Sequence, residues 1–293
     1  MKRVVLAFLL LGSISANAQD ELLAELEQEE KKQSSEPVFA TFKGTRLINF
    51  STVEIQGKNT LEFRIAHRFG DAAVTNSGNN LFGLDGPVAM QLAFDYSLSD
   101  RLSLGIGRTN VNKLIDGNIK YRLLRQTTDG KMPISVTLKG QVNVTHAPER
   151  IATAFDKFTN RMSYVNQVMV ARKFNSKLSL QANFIHLHYN LVRYEEDFNT
   201  VFAAAIMGRY KITKRMAVTA EYGMPFGNYY TGPTQMYNPL SVGLDIETGG
   251  HVFQVFFTNA FSVNEAQFLP YNDRSWGDGQ FRWGFNVSRV FSL

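Results

Sequence analysis

The closing stretch Gln280-Phe281-Arg282-Trp283-Gly284-Phe285-Asn286-Val287-Ser288-Arg289-Val290-Phe291-Ser292-Leu293 alternates apolar and polar residues almost to the last position. Successive side chains of a strand point to opposite faces. Phe281, Trp283, Phe285, Val287, Phe291 and Leu293 therefore share one face, while Gln280, Arg282, Gly284, Asn286, Ser288 and Ser292 share the other. A strand that is oily on one side and polar on the other suits the wall of a membrane barrel, with lipid outside and lumen inside. Arg289 interrupts the apolar row near the strand's end, where a long side chain can reach the headgroups.

The same period recurs upstream. Leu61, Phe63, Ile65, His67 and Phe69 face one way, and Glu62, Arg64 and Arg68 face the other. Further strands are expected at 87–98, 101–109, 113–125, 133–146, 162–174, 177–190, 199–211, 215–224, 238–248, 251–259 and 280–292, each near the length of a tilted spanning strand. The spacing predicts an all-β, antiparallel up-and-down transmembrane barrel of 12 strands over residues 60–293. A hairpin within 38–55, where alternation is poor, would raise the count to 14. Tight turns at Ser99-Asp100, Asn175-Ser176, Thr213-Lys214 and Thr248-Gly249-Gly250 alternate with longer loops at 70–86, 147–161, 191–198, 225–237 and 260–279. Short turns belong on the periplasmic side of such barrels, which places both termini in the periplasm. The last strand then pairs with Leu61–Phe69 and is expected to bring Arg282 beside Glu62 and Arg64.

The N-terminus points to export. Lys2 and Arg3 precede an apolar run from Val4 to Leu11 and the small-residue motif Ala16-Asn17-Ala18, the pattern of a cleaved signal peptide over residues 1–18. Its removal takes the formal charge from +5 to +3, since two lysine or arginine residues and no acids are lost. The remaining basic residues are dispersed, which argues against a nucleic-acid partner despite a pI near 9.3. Residues 19–59 are expected to form a tether, a plug or an extra hairpin. Overall hydrophobicity of 44% and a mean hydropathy of −0.18 resemble a soluble domain, but a barrel shows lipid only every second residue. The 23 Phe and 11 Tyr fit interfacial girdles, and with no cysteine the fold has no disulfides. The expected destination is the outer membrane of a Gram-negative bacterium, reached through the barrel-assembly machinery by way of the C-terminal strand.

Four segments carry a resemblance: Phe82-Gly83-Leu84-Asp85, Lys120-Tyr121-Arg122-Leu123-Leu124-Arg125-Gln126, Asp245-Ile246-Glu247-Thr248-Gly249-Gly250-His251-Val252-Phe253-Gln254 and Gly284-Phe285-Asn286-Val287-Ser288-Arg289-Val290-Phe291. The chain resembles an outer-membrane β-barrel family of unknown function from Bacteroidetes-type bacteria. The resemblance implies the fold and carries no activity.

Selectivity in a barrel is set by inward side chains. Lys120, Arg122 and Lys139 form a basic wall, Glu221, Asp245 and Glu247 an acidic wall opposite, with Glu62, Arg64 and Arg282 as further lumen charges. A water-filled lumen between such walls would serve as a passive or weakly selective channel for small polar solutes. Opposed charges would alternatively pair and fill the space, since 12 strands lie between packed and open barrels. In that case function passes to the extracellular loops, where Tyr229, Tyr230, Tyr237 and Trp276 are the candidates for gripping a partner. No metal or other cofactor is expected: His67, His146 and His186 lie on non-adjacent strands, too scattered for a ligand set. No enzyme is expected either. Ser179 and His186 are more than about 20 Å apart along one strand at roughly 3.4 Å per residue, and no nucleophile elbow is present.

Overall fold

The computed structural model describes residues 36–73, 77–148 and 155–293. The signal-peptide motif and the acidic stretch after it lie outside the described residues. Twelve strands run in chain order: β1 (Thr60–Asp71), β2 (Ala89–Ser99), β3 (Leu102–Thr109), β4 (Leu114–Leu124), β5 (Ser135–Thr145), β6 (Met162–Lys173), β7 (Leu178–Tyr189), β8 (Thr200–Lys211), β9 (Met216–Pro225), β10 (Leu240–Thr248), β11 (His251–Thr258) and β12 (Arg282–Ser292). Each pairs antiparallel with its sequence neighbours, and β1 pairs with β12 to close the ring. The wall thus holds 12 strands and not 14; residues 38–55 add no hairpin to it, their only pairings being the bridges Arg46↔Ser51 and that from Pro37 just before them to Thr127.

The seam differs from the sequence expectation in one respect. Its register runs from Thr60↔Ser292 to Asp71↔Arg282, with Glu62 opposite Val290 and Arg64 opposite Ser288. Arg282 opens β12 at the long-loop end and binds Asp71, whereas Glu62 and Arg64 lie towards the short-turn end. In an antiparallel pair the first residues of one strand meet the last of the other, so Arg282 is not beside Glu62 and Arg64.

Outward rows expose large apolar side chains, with Phe184 and Phe202 each 60% exposed and Ile106 57%. No helix among the described residues is long and apolar enough to cross a membrane; the crossing elements are strands. The interior is occupied by two further segments of the chain. Residues 41–55 run inside the ring, where Phe42, Leu47, Ile48, Phe50 and Val53 are buried. From the long-loop end, the connection between β11 and β12 folds inward and carries a single-turn helix, α1 (Glu265–Phe268), with Asn264 capping it through Ala266 N–H. Phe50 and Phe268 meet edge to face at 5.2 Å. Gly223 of β9 makes this approach possible: a Cβ there would lie 2.7 Å from Phe50 Cζ.

Candidate functional site: the filled lumen

Two sectors of wall hold the inner segment. On β6, β7 and β8 the inward Val165, Met169, Ile185, Leu187, Ala203, Ala205 and Met207 form one apolar cluster with Phe42, Leu47, Phe50, Val53 and Phe268, with the buried Gln167, Gln181 and Asn183 set among them. Elsewhere most inward side chains are polar or charged, with Phe256 and a few small or aliphatic residues among them. They meet the backbone of residues 41–55, which has no sheet to satisfy it and must find partners for every buried N–H and C=O.

Glu221, from β9, accepts from three successive backbone N–H groups, those of Ile48 (3.2 Å), Asn49 (2.8 Å) and Phe50 (3.3 Å). Gln181 accepts from Val53 N–H at 2.9 Å and donates to Ser51 O at 2.8 Å. Thr137 donates to Val53 O at 2.8 Å. Lys120 Nζ donates to Glu54 O at 2.9 Å and Arg122 to Ile55 O at 2.9 Å. Arg68 reaches Ile48 O and Asn49 Oδ1 while its guanidinium lies 4.3 Å from the Phe256 ring centroid.

Lys139 belongs to a three-way junction. Its Nζ donates to Ser51 Oγ at 2.9 Å and pairs with Glu265 at 3.2 Å, and Glu265 also pairs with Arg46 at 3.1 Å. One carboxylate on α1 therefore joins the inner segment to the wall. Burial pushes the Glu265 carboxyl up, but the Arg46 and Lys139 charges outweigh it and hold the group well below the usual carboxylate range. Burial lowers the Arg46 guanidinium, and the Glu265, Asp116 and Asp95 charges together more than offset this.

The remaining wall charges are also engaged. Asp245 pairs with Arg209 at 3.0 Å, and Glu247 with Arg209 and with Lys43 at 3.1 Å. Glu62 accepts from Thr45 Oγ1 at 3.0 Å, and Arg64 donates to the same hydroxyl and to Asp95. So the basic residues Lys120, Arg122 and Lys139 and the acidic residues Glu221, Asp245 and Glu247 all point inward, but the space between them holds residues 41–55 where the sequence reading allowed for water. Arg68 faces inward as its alternation with Glu62 and Arg64 predicts, whereas Arg46, Arg209 and Glu265 join the site without having been singled out. Strand alternation places Arg209 inside; Arg46 and Glu265 lie in segments without a period.

The loop candidates pack against the barrel mouth. Tyr229 lies on the apolar cluster, and Tyr230 meets Tyr194 and Tyr271 edge to face. Trp276 stacks on Phe281 at 4.9 Å and donates to Leu240 O at 2.8 Å, while Tyr237 N–H donates to Asn272 O. Burial pushes the Tyr229 and Tyr271 hydroxyls up to about 12. His67 stacks on Phe285 and His186 faces Asn166 on the outer surface, and among the described residues no three potential metal ligands gather.

No curated protein matches the sequence. Among solved structures, an outer membrane channel from Pseudomonas putida F1 is similar at 14% identity and a TM-score of 0.50, covering 81% of this chain and 97% of that one. The KdgM porin gives 10% identity and a TM-score of 0.47, covering 79% and 99%. Salmonella typhi OmpF gives 10% and 0.38, covering 80% and 98%. At such identities the likeness concerns the fold alone. The model of one family, described as a membrane-bound β-barrel domain (DUF5777), matches residues 42–291. That match takes in the inner segment from Phe42 on and the strands up to Phe291 of β12, and the chain belongs to this family of membrane-bound β-barrels.

Proposed function

We propose that this protein is an outer-membrane barrel of a Gram-negative bacterium, closed by its own residues 41–55 and by α1, which conducts small polar solutes when that segment is displaced. The observation that carries the reading is the Glu221 carboxylate bound to the Ile48, Asn49 and Phe50 N–H groups. These hydrogen bonds can be exchanged for water one by one, unlike the strand ladder of the wall. A permanently sealed interior gains little from buried charge, because replacing a buried ion pair by packed apolar groups is often neutral or stabilising. In this reading the short turns lie in the periplasm, and displacement uncovers a path with Lys120, Arg122 and Lys139 on one side and Glu221, Asp245 and Glu247 on the other.

A second reading rests on the apolar contact between the inner segment and β6–β8. It makes the barrel a permanently filled scaffold whose loops, with Tyr229, Tyr230, Tyr237 and Trp276, bind a partner. Planar-bilayer recording separates the two. The gated reading expects a nearly silent wild type and frequent openings from Glu221→Ala and Arg46→Ala variants. Silence from all three folded proteins would leave the scaffold reading.

A further inference from the structure

At the short-turn end, where the inner segment meets the wall, a cavity of about 70 Å³ is lined by Lys43, Lys173, Lys177, Arg209 and Lys211. Among the described residues no carboxylate lines it. Arg209 is committed to Asp245 and Glu247, and Lys43 to Glu247. Lys173, Lys177 and Lys211 form no ion pair among the described residues. Counting those two acids against the five cations leaves an excess of three positive charges. Lys173 Nζ donates to Phe39 O at 2.8 Å and Ala40 O at 3.4 Å, which fixes its direction without neutralising it. Like charges brought together this way repel unless a counter-ion sits among them. The volume is several times what one water requires.

The geometry points to a binding site for a small soluble oxyanion of the phosphate class, held by Lys173, Lys177 and Lys211 with Ser176 at the rim. Arg209 and buried Ser179 point inward from β8 and β7, so the cavity is on the lumen side of the wall. A phospholipid headgroup would have to bring its chains through the wall to reach it, which favours a soluble anion over a lipid. The site stands whether or not the barrel conducts. Because Phe39, Ala40, Thr41 and Lys43 share the cavity with β6–β8, the anion also fastens the entry of the inner segment to the wall.

Calorimetric titration of inorganic phosphate into the full chain folded in detergent tests the assignment. The expected result is saturable binding tighter than about 1 mM, weakened at least tenfold in Lys177→Ala/Lys211→Ala and unchanged in Lys214→Ala, a neighbouring lysine outside the cavity. Absence of saturable binding, or equal weakening by Lys214→Ala, would overturn it. Lysine-dependent retention of phosphatidylglycerol from vesicles without binding of free phosphate would overturn the soluble-anion assignment in favour of a lipid. If the double variant fails to fold, thermal unfolding of the wild type decides. A rise in melting temperature with phosphate and none with chloride at equal ionic strength supports the site, and equal rises reject it.

Discussion

The two halves of the barrel's interior are filled by different physics. On β6–β8, Val165, Met169, Ile185, Leu187 and Met207 pack against Phe42, Phe50 and Val53 as in the core of a water-soluble protein. On the rest of the wall, Glu221, Arg68, Lys120, Arg122 and Lys139 bind the same segment through its backbone and through Glu265. Apolar contact is non-directional and follows buried area, whereas the polar side works only while each donor keeps its acceptor. The segment is therefore seated by one sector and locked by the other.

Truncation on the seating side should show the largest loss. Phe50→Ala removes a fully buried ring and its contact with Phe268 and should cost about 3–5 kcal/mol, read by denaturant unfolding in detergent. A cost below ~1 kcal/mol would mean that the ring is not packed. On the locking side, Arg46→Ala leaves Glu265 with Lys139 alone and should cost about 3 kcal/mol, the lower range for breaking a buried pair. The double variant Arg46→Ala/Glu265→Ala should be less destabilised than the sum of the singles; strict additivity would break the three-way junction. Between the two sectors, Gly223→Ala pushes a methyl group into Phe50 and should cost about 1–3 kcal/mol by overpacking. Met169→Leu, which keeps volume in the apolar cluster, should cost less than ~1.5 kcal/mol.

Acid provides a further way to separate the sectors. The folded Glu265 carboxyl is held below its ordinary value of 4.5, so its contribution is complete above that value and declines as pH falls through the folded one. Protonation leaves Arg46 and Lys139 as buried cations without their shared carboxylate. Wild type should therefore lose stability below about pH 4.5, and Glu265→Gln should show a flatter profile over the same range. Parallel profiles for the two proteins would remove Glu265 from the lock.

Much of this was legible in the sequence. The period-two rows of β1 and β12, with Phe63 and Ile65 outward and Glu62 and Arg64 inward, set strand number and facing, because each strand meets lipid on one side only. The seam register was not legible. Alternation tells which face Arg282 takes, not how far β12 slides along β1, and the irregularity between Arg68 and Asp71 alters the count. Residues 41–55 escaped for another reason. Their partners, such as Gln181 for Val53 and Asn286 for Ile48, lie on distant strands and bond backbone atoms, so no local period records them. The inward charges were readable as residues but not as contacts, since a lysine that faces water and one that faces a carbonyl look alike in a strand.

Thiol accessibility shows whether residues 41–55 fill the barrel, because the chain has no cysteine of its own. Val53 is 2% exposed, while Lys58, just outside the barrel's interior, is exposed. In the folded protein a water-soluble maleimide should label Lys58→Cys rapidly and Val53→Cys only after denaturation. Equal labelling rates at the two positions in the folded barrel would mean that residues 41–55 lie outside the lumen.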